Sequence, residues 1–206
     1  MAGEVVVPLD RIKFYGAACL LFVGLQFTAV AETIQGSLGL EQTSVVSSIY
    51  TTKRSSKIQG EATYARQFSG RFSAFGQYQT KVDNTLSAGI GGVAFDSEDI
   101  QTKGGTIHSD GSSEVSRVPI WMFRSSVGVG LFKYVDILRS NNSLLGNKNE
   151  KPVQADLYGL KFATSLVKFM DEDWGVMASG SYVVASAQNF GLSSTCLSLG
   201  LIYKNN

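Results

Sequence analysis

The sequence predicts an all-β chain that closes into an antiparallel barrel crossing a membrane, and three observations carry that prediction. Apolar residues alternate with Ser, Thr, Gln and Gly through most of the chain, the period of a sheet with one apolar and one polar face. Gly is abundant at 22 of 206 residues, Pro is scarce at 3 and aromatics reach 11%, a balance that weakens helices and suits a pleated surface. Charged residues make up only 17%, below the roughly 25% of soluble domains, yet beyond the N-terminal segment no run of about 20 apolar residues offers a membrane helix. The apolar residues must therefore be used by strands.

The first element is the N-terminal segment. Arg11 and Lys13 precede an apolar stretch, 14–30, interrupted by Gln26 and Thr28 and closed by Ala29-Val30-Ala31. This is the layout of a secretory signal peptide with a small-residue cleavage site, dividing the chain into a leader, 1–31, and a barrel domain, 32–206. An acylated Cys19 is not expected, because Gly16 stands where an aliphatic residue belongs and the apolar stretch follows the cysteine. Cleavage leaves Cys196 as one thiol, so no internal disulfide is available.

From Ile34 the alternation begins, with Ile34, Gly36, Leu38 and Leu40 on one face and Gln35, Ser37, Gly39 and Glu41 on the other. Residues 57–68 repeat it: Ile58, Gly60, Ala62, Tyr64 and Phe68 oppose Gln59, Glu61, Thr63 and Gln67, and Arg66 near the end can snorkel to an interface. After the turn Ser69-Gly70-Arg71, residues 72–81 set Phe72, Ala74, Gly76 and Tyr78 against Ser73, Gln77, Gln79 and Lys81, with Phe75 out of phase. The turn Val82-Asp83-Asn84 leads into 86–95, where Leu86, Ala88, Ile90 and Ala94 oppose Ser87, Gly89 and Gly91; these small residues are expected to face a narrow, filled lumen. In the last third, 156–168, 174–187 and 195–203 alternate as regularly, the first two joined by the acidic turn Asp171-Glu172-Asp173. Each run is about ten residues, the length that crosses a bilayer when tilted.

The middle admits two readings. Residues 115–135 are long and uniformly apolar; as one strand they give eight strands but leave 97–113 as a long connection on the side where turns should be short. With Arg124-Ser125-Ser126 as a turn and a weak strand near 100–108, the count becomes ten. Eight leads, with ten as the alternative.

A soluble β-sandwich or lipocalin-like barrel has the same period. The membrane is favoured because Lys53-Arg54, Glu98-Asp99, Lys148-Asn149-Glu150-Lys151 and Asp171-Glu172-Asp173 place charge in the expected turns and loops, leaving an uncharged band between. Tyr64, Phe68, Phe72, Trp174 and Tyr203 lie near strand ends as candidates for interfacial girdles.

Arg117-Val118-Pro119-Ile120 and the closing run Leu197-Ser198-Leu199-Gly200-Leu201-Ile202-Tyr203 are similar to strands of the small OmpA/OmpX-like outer-membrane barrel superfamily, and as a pattern the resemblance covers most of 32–206. It implies Sec export to a bacterial outer membrane, contact with outer-membrane lipid and lipopolysaccharide, and recognition of a terminal aromatic by the barrel-assembly machinery. Here Lys204-Asn205-Asn206 follow that aromatic.

Charge is balanced, Lys+Arg 18 against Asp+Glu 17, which argues against a nucleic-acid partner. The single histidine, His108, stands beside Ser109 and Asp110 in the Gly/Ser/Asp-rich segment 104–113, where a solvated turn is the simpler reading than a nucleophile and base. No His/Cys cluster suggests a metal, Gly89, Gly91 and Gly92 lack the strand-to-helix setting of a phosphate loop, and neither catalytic nor cofactor-binding residues are assigned. The leading functional expectation is a structural or surface-interaction barrel, using the loop 135–154 toward an extracellular partner. A small porin is the alternative, followed by a lipid-modifying barrel enzyme or a soluble secreted barrel that binds a ligand.

Overall fold

The computed structural model describes residues 32–47, 53–107, 113–139 and 150–205. The signal segment with Cys19, His108 and its neighbours, and the loop residues 140–149 lie outside the described residues. Eight strands run in chain order: β1 (Glu32–Ser47), β2 (Lys53–Ser69), β3 (Phe72–Lys81), β4 (Leu86–Ile107), β5 (Ser113–Arg139), β6 (Glu150–Phe169), β7 (Trp174–Ala187) and β8 (Phe190–Asn205). Each pairs antiparallel with its neighbours and β1 closes on β8, so the ring leaves no barrel edge unpaired. Followed through its partners, the row from Leu38 passes Gly60, Thr80, Ser87, Lys133 and Asp156 and reaches β1 again roughly ten residues higher, a stagger that tilts the strands about 40° from the barrel axis.

Turn chemistry fixes the hairpins. Gly70 at φ 50° supplies the left-handed residue between β2 and β3. Asn84 does so at φ 57° between β3 and β4, where Asp83 accepts bonds from the Thr85 backbone N–H (3.2 Å) and hydroxyl (2.7 Å). Between β6 and β7, Asp171 accepts from the N–H groups of Asp173 (3.0 Å) and Trp174 (2.6 Å).

Eight strands, not ten, account for the middle of the chain. Arg124-Ser125-Ser126 is continuous strand, paired to Asp96-Phe95-Ala94 on one side and Ser165-Thr164-Ala163 on the other. The apparent long connection is a hairpin extension: β4 pairs with β5 out to Ile107↔Ser113, although β3 leaves β4 at Phe95 and β6 leaves β5 at Trp121. Residues 96–107 and 113–120 thus form a two-stranded ribbon projecting past the rim on the side of the chain termini, on the order of 25 Å long. Glu98-Asp99 belong to this ribbon and Lys53-Arg54 begin β2, so neither pair is a turn. Likewise 135–139 and 150–154, read as loop, continue β5 and β6 above the opposite rim.

Alternation sorts each strand into an outward and an inward face. Ile34, Leu38, Ile58, Tyr78, Val93, Val129, Phe162, Val184 and Leu199 are exposed on the outside, one or more from every strand. On β4 the expected faces are exchanged: Leu86, Ala88, Ile90 and Ala94 are buried inside, whereas Ser87, Gly89 and Gly91 point outward. Periodicity tells which residues share a face but not which face is in; here the lumen opposite β4 takes apolar bulk. Phe75, out of phase in its strand, is inward, and its ring lies where side chains at Gly92 or Gly128 would come within 2.8–2.9 Å.

Candidate functional site

The interior is filled in layers, and the charged residues of its three paired layers come from the polar phase of β1–β3 and from isolated positions on β4–β6. Nearest the loop side, Lys81 and Glu41, each 1% exposed, face each other at 3.4 Å; Lys81 Nζ donates to Thr43 Oγ1 at 2.6 Å and Ser194 donates to Glu41 Oε1. At mid-depth, Lys161 Nζ donates to Glu61 Oε1 (2.5 Å) and Gln79 Oε1 (2.9 Å), while Gln59 and Gln77 donate to the two oxygens of Glu61 at 2.6 and 3.0 Å. Toward the termini, Arg124 grips Asp96 bidentately at 2.6 and 2.7 Å and donates to Thr33 at 3.1 Å. Such pairing is what permits charge in a place with little water, because an unpaired buried ion is strongly unfavourable.

Between the Glu61 and Arg124 layers lies an enclosed chamber of about 30 Å³, lined by Gln35, Ser37, Thr63, Gln77, Ser165 and Ser181 among others, which is room for one or two waters. Gln35 Nε2, on its wall, has no protein partner, and Gln59 Oε1 and Gln79 Nε2 are in the same position one layer up. Apolar caps complete the filling: Leu86, Phe132, Tyr134, Leu157, Val183 and Leu192 toward the loops, and Met122, Val167, Phe169, Met177 and Ile202 toward the termini. The lumen is thus a packed interior, crossed by no open channel among the described residues.

At the loop rim, Asp136 accepts from Lys53 Nζ (2.8 Å) and the Tyr134 hydroxyl (2.9 Å). Burial pushes the Asp136 carboxyl up, but these bonds outweigh it and hold it below its ordinary value. Asp83 is held low in the same way, burial being outweighed by bonds from Thr85 and Lys57.

The five aromatic candidates fall as follows. Trp174 and Tyr203 meet at 5.0 Å between ring centroids, their planes tilted by 53°, on the outside of the termini rim, and Phe72 meets Phe95 at 5.4 Å on the same rim. Trp121, absent from the sequence-derived set, joins them, with Lys168 Nζ 5.6 Å from its ring centre. Tyr64 is exposed on the outer face, deeper in the belt. Phe68 falls in the irregular register between Gln67 and Ser69 and is half-buried. Arg66 reaches Glu32 at 3.7 Å, outside the barrel. The lumen charges are the residues that reading for turns missed; the signal was present as single ionisable residues, Glu41, Glu61 and Lys81, on otherwise uncharged polar faces.

No protein-family profile matches the chain and no curated protein sequence matches it. Solved structures do. Neisserial surface protein A aligns over 84% of this chain and 97% of its own at a TM-score of 0.51 and 11% identity. The N-terminal β-barrel domain of OprF from Pseudomonas aeruginosa aligns over 82% and 97% at 0.44 and 10%, and Ail, the attachment invasion locus protein of Yersinia pestis, over 83% and 98% at 0.40 and 11%. With the first of these, the closed ring of eight strands establishes the fold as that of the small outer-membrane β-barrels.

Proposed function

We propose that this chain is an integral outer-membrane barrel with a structural and surface-interaction role, its wall seated in lipid and its loop end presented to the outside. The observation that carries the proposal is the pairing of two opposite surfaces: apolar side chains exposed outward on all eight strands, and ion pairs and hydrogen-bonded amides enclosed within. An aqueous environment favours the reverse, and a bilayer requires every backbone polar group to be satisfied by a closed barrel. On this reading the chain is exported through the Sec pathway with 1–31 removed, meets outer-membrane lipid and lipopolysaccharide along its belt, and is inserted by the barrel-assembly machinery. The hairpin end spanning 135–154 is the surface for an extracellular partner.

Heat-modifiability tests this directly. Residues 32–206 refolded in lipid are expected to run as a compact gel band that shifts on boiling; a soluble monomer refolding without detergent would overturn the proposal. Cys196, buried in the lumen, supplies a second readout. A membrane-impermeant maleimide is expected to leave it unmodified in the folded barrel and to label it after boiling.

The chamber beside Gln35 favours a second reading, a small channel whose water path is interrupted by the Glu61–Lys161 and Arg124–Asp96 layers. Planar-bilayer recording separates the two: a structural barrel gives no discrete conductance, and reproducible salt-dependent steps would move the assignment to transport.

A further inference from the structure

The outer face of the barrel carries a shallow groove, wide open to its surroundings, across β8, β1, β2 and β3, with a volume of about 560 Å³. Its floor is nearly bare backbone: Gly36 pairs with Ala62 and Leu38 with Gly60, and a side chain at Gly36 would meet nothing within 4 Å. Its walls are Leu38 and Leu199, 67% and 72% exposed, and Tyr78, which stands between Ala62 and Gly89. From these features we infer that the groove seats one hydrocarbon chain of a bilayer lipid, a docking site on the wall distinct from the lumen and the loops; this rests on the membrane reading above.

Position commits the occupant. The groove is continuous with the apolar belt on both flanks, so what reaches it is what surrounds the belt. Along β2, the groove residues Gly60 and Ala62 lie three residues from exposed Lys57, which meets Asp83 at 3.4 Å, on one side and four from exposed Arg66 on the other, roughly 10–13 Å along a tilted strand each way. That places the groove near mid-depth of a hydrocarbon layer about 30 Å thick, where the ends of acyl chains meet and head groups do not reach. Since lipid tails are as apolar as leucine, the preference comes from filling a concave surface with matching contacts, not from withdrawal from water.

The test uses residues 32–206 in phosphatidylcholine vesicles doped with one of two photoactivatable phosphatidylcholines, diazirine at the chain end or beside the carbonyl, with adducts mapped by mass spectrometry. The chain-end probe is expected to label Leu38, Tyr78 and Leu199 several-fold above equally outward Val129 and Phe162 on the far wall, and the carbonyl probe is not. Gly60→Leu and Gly36→Leu fill the groove without strain, since the nearest atom to a side chain at Gly60 is Leu38 Cδ2 at 3.6 Å; each is expected to abolish the excess while the heat-modifiable band persists. Even labelling around the barrel, or excess labelling that survives both substitutions, overturns the inference. Chain-to-chain crosslinks through Tyr78 overturn it too, in favour of a second copy of this chain. Loss of the heat-modifiable band in the unsubstituted protein marks failure of the membrane reading instead.

Discussion

The two walls of this barrel solve one problem in opposite ways. The β1–β3 wall turns Gln35, Glu41, Gln59, Glu61, Gln79 and Lys81 inward, and these must find partners; the β4–β7 wall turns Leu86, Ile90, Phe132, Leu157 and Val183 inward, and these need only contact. Outside, both walls carry exposed apolar bulk, Leu38, Ile58 and Tyr78 on the first and Val129, Phe162 and Val184 on the second, with small residues such as Gly60, Ala62, Ser87 and Gly89 set among them on β2–β4. A barrel of eight strands has an interior just wide enough for side chains. The difference teaches that such an interior can be closed by a polar network rooted mainly in β1–β3, completed across the lumen by Lys161 and toward the termini by Arg124 and Asp96, together with apolar packing from β4–β7, and the two kinds of filling should fail differently.

The largest expected effect lies on the polar wall. Lys81→Met strands Glu41 among fully buried groups and is expected to reduce unfolding stability in lipid by about 3–5 kcal/mol, whereas the double change Glu41→Gln with Lys81→Met recovers most of it. Urea titration of the heat-modifiable fraction reads both, and a double variant as weak as the single would show that the pair stabilises the lumen outright. On the apolar wall, Leu157→Ala leaves a cavity and loses about 2–4 kcal/mol, with no partner substitution able to restore it.

Glycines separate inside from outside more finely. A side chain at Gly128 meets Ile90 Cγ2 at 2.7 Å and the Phe75 ring at 2.9 Å, so Gly128→Val is expected to lose about 1–3 kcal/mol by overpacking. Gly89 has nothing within 4 Å, and Gly89→Val should stay within about 0.5 kcal/mol in the same titration. Equal losses would mean that β4 does not present Gly89 to lipid.

The smallest effect is at the loop rim. The folded-state carboxyl of Asp136 is lowered, so its pair with Lys53 contributes above the ordinary carboxylate range and is lost as pH falls through the lower folded value. Lys53 is 41% exposed and screened, so acidification should remove no more than about 1 kcal/mol, and Asp136→Asn should erase that acid-dependent step.

Much of the fold was legible because a period of two survives in nearly every strand. β1 and β8 are the clearest case: Leu38 and Leu199 stand as partners outside, with Gly39 beside Ser198 within. What the pattern does not carry is the direction of each face. On β4 the exchange depends on Phe75 reaching across to Gly92 and Gly128, contacts between positions far apart in sequence. The lumen network was half legible: Glu41, Glu61 and Lys81 fall on polar faces, but their partners Lys161 and Ser194 are distant along the chain and are chosen by the stagger of the ring. The ribbon was hidden for another reason, since a hairpin that outruns its flanking strands has the same local period as two shorter strands.

That ribbon bears on how the barrel enters its membrane. Hairpin ends on the side away from the termini have to be carried through the hydrocarbon layer as strands insert, and each charge on them resists the passage. The 96–107 and 113–120 arms extend from the side of Glu32 and Asn205, so on the proposed membrane reading Glu98, Asp99, Lys103, Glu114 and Arg117 would not make that crossing. On that reading translocation would not limit the length of this charged ribbon.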